Sequence, residues 1–221
     1  KCKAWSDKVL SLSSHWIQCF NDTDFYTLGA ASYLDAPQSN QSYTEKSQHL
    51  NPLLYENFYD LYSYTINCLQ SALNEPVKIE KKLALPGFQI LGKVPGQEQL
   101  SMTKIMANYG GTIHIDRQFE HHTRVWNQYQ NYDFLSAITF TGALALPSKG
   151  GGLYYWPDGL TENTCAQKDR RSQDYTVGSM IIFDSFFPHK IAPTSSVIND
   201  DYRITLQGHG LFCDGSWRIY F

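Results

Sequence analysis

Charge is scarce in this 221-residue chain, with charged residues at 18% against roughly a quarter in ordinary domains. Lys and Arg number 18, Asp and Glu 21, and the net charge is −3. No strong field is available to hold a polyanion, so the electrostatics give no argument for nucleic acid as a partner. Long hydrophobic runs are missing too. The longest uncharged apolar stretch, residues 134–148, carries Thr139, Thr141 and Pro147 and falls short of the roughly 18 residues a membrane span needs. A soluble protein without a membrane partner is expected, with the cytoplasm the favoured setting.

Cysteines are few and unpaired in pattern. The five (Cys2, Cys19, Cys68, Cys165 and Cys213) are widely spaced with no C-x-x-C, which suggests neither a disulfide framework nor a zinc knuckle, so buried free thiols are expected. Also missing are G-x-G-x-x-G, the P-loop, G-x-S-x-G and H-E-x-x-H, which removes dinucleotide, nucleotide, serine-hydrolase and zincin readings. Gly150-Gly151-Gly152 leads into Leu153-Tyr154-Tyr155, a turn entering a strand and not a phosphate cradle. The chain begins at Lys1, so its natural start is expected to lie upstream.

Apolar and aromatic residues are plentiful: 42% of the chain is hydrophobic, with 12 Phe, 15 Tyr and 5 Trp. This is the composition of a packed globule, and the length predicts one decorated domain spanning residues 1–221. Trp5, Val9, Leu12, Trp16 and Phe20 fall on one face of a helix. The polar stretch from Asp35 to Asn51, with Pro37 and Ser39, reads as a loop. A second helix is predicted from Pro52 to Leu73, ending before Pro76. From Val77 the period shortens. Val77/Ile79, Leu83/Leu85, Phe88/Ile90, Ile113/Ile115, Ala137 to Leu146, Leu153/Tyr155, Met180 to Phe183 and Ile204/Leu206 read as short strands. Residues 1–76 therefore form a mainly helical buttress and 77–221 a β body.

Chemistry concentrates in two segments. In Tyr109-Gly-Gly-Thr-Ile-His-Ile-Asp116, His114 and Asp116 alternate with isoleucines. On extended backbone such residues share a face about 6.6 Å apart, which offers two metal ligands. In the second segment an apolar run ends at His189, and Arg203 and Thr205 follow at i, i+2. His189 could complete a two-His, one-carboxylate set suited to non-haem Fe(II), with coordination positions left open. Arg203 offers a planar fork for a carboxylate, with the Thr205 hydroxyl beside it. Glu120-His121-His122 competes for the ligand role, or contributes substrate contacts. Arg170-Arg171-Ser172 reads as a solvated loop, and His209 as a hydrogen-bonded structural histidine.

The order H-x-D, distal His, R-x-T resembles the Fe(II)/2-oxoglutarate-dependent oxygenase superfamily, prolyl-hydroxylase-like members included. The likeness spans roughly Leu83 to Leu206. It implies a mostly β fold with N-terminal helices, a double-stranded β-helix or jelly roll buttressed by α-helices. It further implies that His114, Asp116 and His189 hold iron and act catalytically. Arg203 and Thr205, joined by Tyr109, would bind 2-oxoglutarate, where prolyl hydroxylases usually carry Lys for the clamp. Cofactors would be Fe(II), 2-oxoglutarate as cosubstrate and O2, with ascorbate an optional companion. Asp116, where halogenases of the superfamily have a small residue, points to hydroxylation or a related oxidation.

Arg124, Trp126, Tyr154 and Trp156 are expected as substrate contacts around a cavity mouth. With no docking module, a small or medium organic molecule is the expected substrate. Three rivals stay open: a peptidyl (prolyl-type) hydroxylase, a cupin-like metal enzyme without cosubstrate, and a non-enzymatic jelly-roll binding module.

Overall fold

The N-terminal amphipathic pattern forms α1 (Cys2–Ser11), which buries Trp5 and Val9. It is shorter than expected. The Ser11 hydroxyl returns to the Lys8 carbonyl, the chain tightens into a 3-10 turn at Ser13–His15, and Trp16 and Phe20 lie beyond the helix. Serine hydroxyls that compete for backbone groups favour such an ending. Trp16 still packs, donating its indole N–H to the Val9 carbonyl at 3.1 Å, whereas Phe20 is exposed. The computed structural model describes residues 1–101, 103–157, 170–194 and 201–221. The predicted free thiol Cys165 lies outside the described residues; Cys2, Cys19, Cys68 and Cys213 are free.

The expected loop at 35–51 is largely helical. After β1 (Ile17–Gln18), β2 (Phe25–Leu28) and α2 (Ser32–Asp35), the Ser39 hydroxyl accepts from the Gln41 and Ser42 N–H groups and caps α3 (Asn40–Leu73). Such a cap satisfies donors that a helix start leaves unpaired. Tyr43, Ser47, Leu50 and Leu54 are buried at helical spacing, so the polar residues between them form a solvent face. Pro52 therefore sits inside α3, where it has no N–H to give the Gln48 carbonyl four residues earlier. The C-terminus agrees with expectation, Asn74 taking the left-handed conformation (φ 54°, ψ 31°) that closes helices.

Among the described residues the remaining helices and strands are β3 (Val77–Ile79), β4 (Gly87–Leu91), α4 (Thr103–Tyr109), a 3-10 turn at Gln118–His122, α5 (Thr123–Trp126), β5 (Tyr132–Ala145), β6 (Leu153–Tyr155), β7 (Arg171–Gln173), β8 (Met180–Asp184), β9 (His189–Ile191), β10 (Arg203–Cys213) and β11 (Ser216–Tyr220). One eight-stranded sheet runs β1-β2-β4-β10-β11-β3, with β5 along the other side of β10 and β8 beyond it; a three-stranded sheet runs β7-β6-β9. The expected strand at Leu83/Leu85 is irregular though both residues are buried, and the Ile113/Ile115 segment makes a single bridge, His114 to His189.

β10 explains how the layers separate. Ile204 and Leu206 pack with Trp5, Val9, Leu54, Phe58, Leu61 and Tyr62, joining the helices to one sheet face. The alternate residues Arg203, Thr205, Gln207 and His209 are buried and, by the period of two, face the other way. Gly208 lets the strands close up: a Cβ there would meet the Phe140 ring at 2.4 Å and the Tyr220 carbonyl at 2.8 Å.

Candidate metal centre

His114, Asp116 and His189 converge, each offering one ligand atom, with these atoms within 4.8 Å of one another. The i, i+2 geometry places the His114 and Asp116 side chains together although their segment is not a regular strand. Backbone pairing supplies the rigidity instead. His114 and His189 exchange N–H···O=C bonds of 3.0 and 2.9 Å, and the Asp116 N–H donates to the Ser185 carbonyl at 3.0 Å. His189 Nε2 lies 3.3 Å from Asp116 Oδ2, and His114 Nε2 lies 3.7 Å from Asp116 Oδ1.

Both imidazoles are oriented the same way. His114 Nδ1 lies 2.9 Å from the Thr112 carbonyl and His189 Nδ1 lies 2.9 Å from the Phe187 carbonyl. A carbonyl only accepts, so each Nδ1 carries a proton and each ring turns its Nε2 toward Asp116, the nitrogen that offers a lone pair to a metal when the ring is neutral. Burial pushes the Asp116 carboxyl up, but His189, then His209 and His114, outweigh it and hold it well below the usual carboxylate range. For His189, burial lowers the imidazole and Asp116 raises it, with a net upward shift. Two imidazoles and an ionised carboxylate, with the carboxylate and His189 buried and His114 half-exposed, form a donor set that fits Fe(II).

Asp116 is held by groups with no motif signal. Gln118 donates to Oδ1 at 2.9 Å and the Thr139 hydroxyl to Oδ2 at 2.7 Å. Having given its proton, the Thr139 oxygen accepts from Ser185 Oγ at 3.0 Å and from His209 Nδ1 at 3.2 Å. The reading of His209 as a hydrogen-bonded structural residue therefore agrees with its placement. Its Nε2 is buried without a partner among the described residues. Thr139→Val, which removes the hydroxyl that steers Oδ2, is expected to weaken Fe(II) or Mn(II) binding about 10-fold or more while the fold persists. Metal titration checks this.

Arg203 lies on the same face of β10 as His209 and is 1% exposed. Its Nε donates to the Gly151 carbonyl at 2.8 Å and a terminal nitrogen to the Thr205 hydroxyl at 3.3 Å. Among the described residues no carboxylate pairs with it. The Tyr175 ring lies 5.5 Å from the guanidinium, and its hydroxyl engages Thr141 and Arg203. Among the described residues this buried guanidinium, flanked by neutral hydroxyls, lacks an anion to compensate it.

The other expected site residues lie elsewhere. Tyr109, at the end of α4, is 73% exposed, and the tyrosine at the guanidinium is Tyr175, which the motif reading passed over. Trp126, expected at a cavity mouth, is a core residue: it is wholly buried, donates its indole N–H to the Phe119 carbonyl and packs on Tyr220. Trp156 is buried as well. Tyr154 lies under the Arg170 guanidinium, 3.9 Å from its centre, opposite Lys190 and so on the face of the small sheet away from His189. Arg124 is exposed and lines a separate cleft of about 580 Å³ with Tyr43, His121 and His122.

The competing pair is resolved by its surroundings. His121 is exposed. The Ser32 hydroxyl gives its proton to the Phe221 carbonyl and accepts from His122 Nε2 at 2.8 Å. Burial, then His121 and His209, push His122 down to about 4. A histidine depressed below its unfolded value of about 6.5 stabilises the fold above that value and loses the contribution as pH falls toward 4, at most about 3 kcal/mol here. Thermal melts across pH 4–7 should therefore show a steeper acid loss in the native protein than in His122→Gln.

No protein-family model and no curated protein matches the chain. Among solved structures, the fold is the one found in non-haem α-ketoglutarate-dependent enzymes. The likeness to the epimerase SnoN from nogalamycin biosynthesis has a TM-score of 0.52 at 11% identity, over 96% of this chain and 72% of that one. An N-substituted L-amino acid dioxygenase from Burkholderia ambifaria AMMD, solved with α-ketoglutarate, gives 0.49 at 12% identity over 84% and 71%. The carbocyclase SnoK from nogalamycin biosynthesis gives 0.45 at 14% identity over 95% and 71%.

Proposed function

We propose that the chain is an Fe(II)- and 2-oxoglutarate-dependent dioxygenase that hydroxylates, or otherwise oxidises, a small or medium organic molecule. On this reading residues 1–221 form one jelly-roll domain buttressed by α1 and α3. One observation carries the proposal: the two-His, one-carboxylate cluster and a buried Arg203, with no carboxylate partner among the described residues, lie in the same layer between the sheets. The SnoN-like fold supports it.

His114, Asp116 and His189 would hold the iron, Nε2 of each ring and one carboxylate oxygen being the donors. Bound iron, with 2-oxoglutarate and O2, supplies an oxidation coupled to decarboxylation of the cosubstrate to succinate and CO2. The protein's own residues bind and orient. Arg203 offers its fork to the distal carboxylate of 2-oxoglutarate, Thr205 and Tyr175 add hydroxyls, and the apolar wall of Ile181 and Phe183 on β8 restricts water.

Melting the protein with Mn(II), with 2-oxoglutarate and with both provides the test. Each is expected to raise the melting temperature, as any ligand of the native state does, and Fe(II) with 2-oxoglutarate should release succinate in air. A metal shift without a 2-oxoglutarate shift would return the reading to a cupin-like metal enzyme, and neither shift would return it to a binding module.

A further inference from the structure

A row of side chains crosses the small sheet and ends on the metal ligands. Arg171 of β7 is paired with Tyr155 of β6, Tyr155 with His189 of β9, and His189 with His114. Directly paired residues share a sheet face, so Arg171 and Tyr155 face the layer that holds the ligand imidazoles. One contact checks this parity. Arg170 and Tyr154, of even number, stack on each other on the opposite face.

Arg171, expected in a solvated loop, is thus an exposed strand residue on the interior-facing side. Its side chain has no hydrogen bond or ion pair among the described residues. Two strand spacings separate it from His189, about 10 Å. Tyr155, half-buried, lies between them and offers a ring and a hydroxyl. A guanidinium at the open end of a row that ends on a metal site suits a ligand with an anionic end and a less polar body.

We propose that Arg171, with Tyr155 beside it, is the substrate-side anion contact of this centre, and that the substrate carries a carboxylate or a phosphate monoester. The charge would sit on Arg171, the body on Tyr155, and a carbon several bonds from the charge against the ligand row. The proposal rests on the dioxygenase reading, and it moves the substrate guanidinium from Arg124 to Arg171.

The test uses the whole chain with Mn(II) and saturating 2-oxoglutarate, which occupies Arg203, and measures by saturation-transfer NMR the binding of benzoate, phenyl phosphate and the neutral methyl benzoate. At least one anion is expected to bind about tenfold more tightly than the ester, the scale of one charge-assisted hydrogen bond. Whichever anion leads identifies carboxylate or phosphate. Arg171→Met should remove the preference, Arg171→Lys should keep part of it, and both should retain the melting-temperature shift with Mn(II) and 2-oxoglutarate. Anions binding no better than the ester, or a preference that survives in Arg171→Met, would overturn the proposal. A preference lost with Arg171 in a protein that shows no metal or 2-oxoglutarate shift would support the anion site and overturn the dioxygenase reading instead.

Discussion

His189→Ala is expected to abolish succinate release and to remove the Mn(II)-dependent rise in melting temperature. A facial site reduced to two donors holds a divalent ion poorly, and the 3.3 Å contact between His189 and Asp116 goes with it. His114→Ala should do the same. Its ring is the exposed member of the set, so its loss should leave the apo fold nearly as stable as before. Asp116 is different. Truncation to Ala leaves Gln118 and the Thr139 hydroxyl without their acceptor in a buried setting, a further cost of about 1–3 kcal/mol. Asp116→Asn keeps the shape and is the cleaner variant. It should melt nearer the native temperature than Asp116→Ala without metal, though below it because the stabilised charge is gone, and gain nothing when Mn(II) is added. Full succinate release from any one of the three would remove that residue from the ligand set.

Arg203→Ala should strike 2-oxoglutarate and spare the metal. The guanidinium is buried, donates to Gly151 and Thr205 and pairs with no carboxylate among the described residues, so the cosubstrate carboxylate would be its full counter-charge. Stripping one partner from such a pair costs about 2–5 kcal/mol, a loss of roughly 30-fold to several thousand-fold in affinity. Lysine should recover only part, since a point charge cannot form the two parallel bonds of the fork. Titration of 2-oxoglutarate onto the Mn(II)-loaded variants measures this. An affinity unchanged in Arg203→Ala would place the cosubstrate elsewhere.

Much of this was legible in the chain because it depends on local period. The i, i+2 spacing brings His114 and Asp116 together whether or not a ladder forms. The alternation Arg203-Ile-Thr205-Leu-Gln207-Gly-His209 declares a strand with one polar and one apolar face, and read that way it also puts His209 in the layer of Arg203. What depends on pairing was not legible. Tyr154 and Tyr155 are equally good candidates until register with Lys190 and His189 decides which faces inward. Arg170 and Arg171 look like a solvated pair until β7 separates them onto opposite faces. Trp126 falls near the ligand segment in sequence yet fills the core beside Tyr220. The start of α3 was hidden because a polar face and an interior proline resemble a loop when the cap at Ser39 is not weighed against them.

The most direct test of the central claim is a crystal structure of the protein grown without oxygen in the presence of Fe(II) and 2-oxoglutarate, with iron located by its anomalous signal. The account predicts iron bonded to Nε2 of His114, Nε2 of His189 and a carboxylate oxygen of Asp116, and 2-oxoglutarate joining that iron to Arg203. Iron at any other set of donors, or 2-oxoglutarate bound away from Arg203, would contradict it.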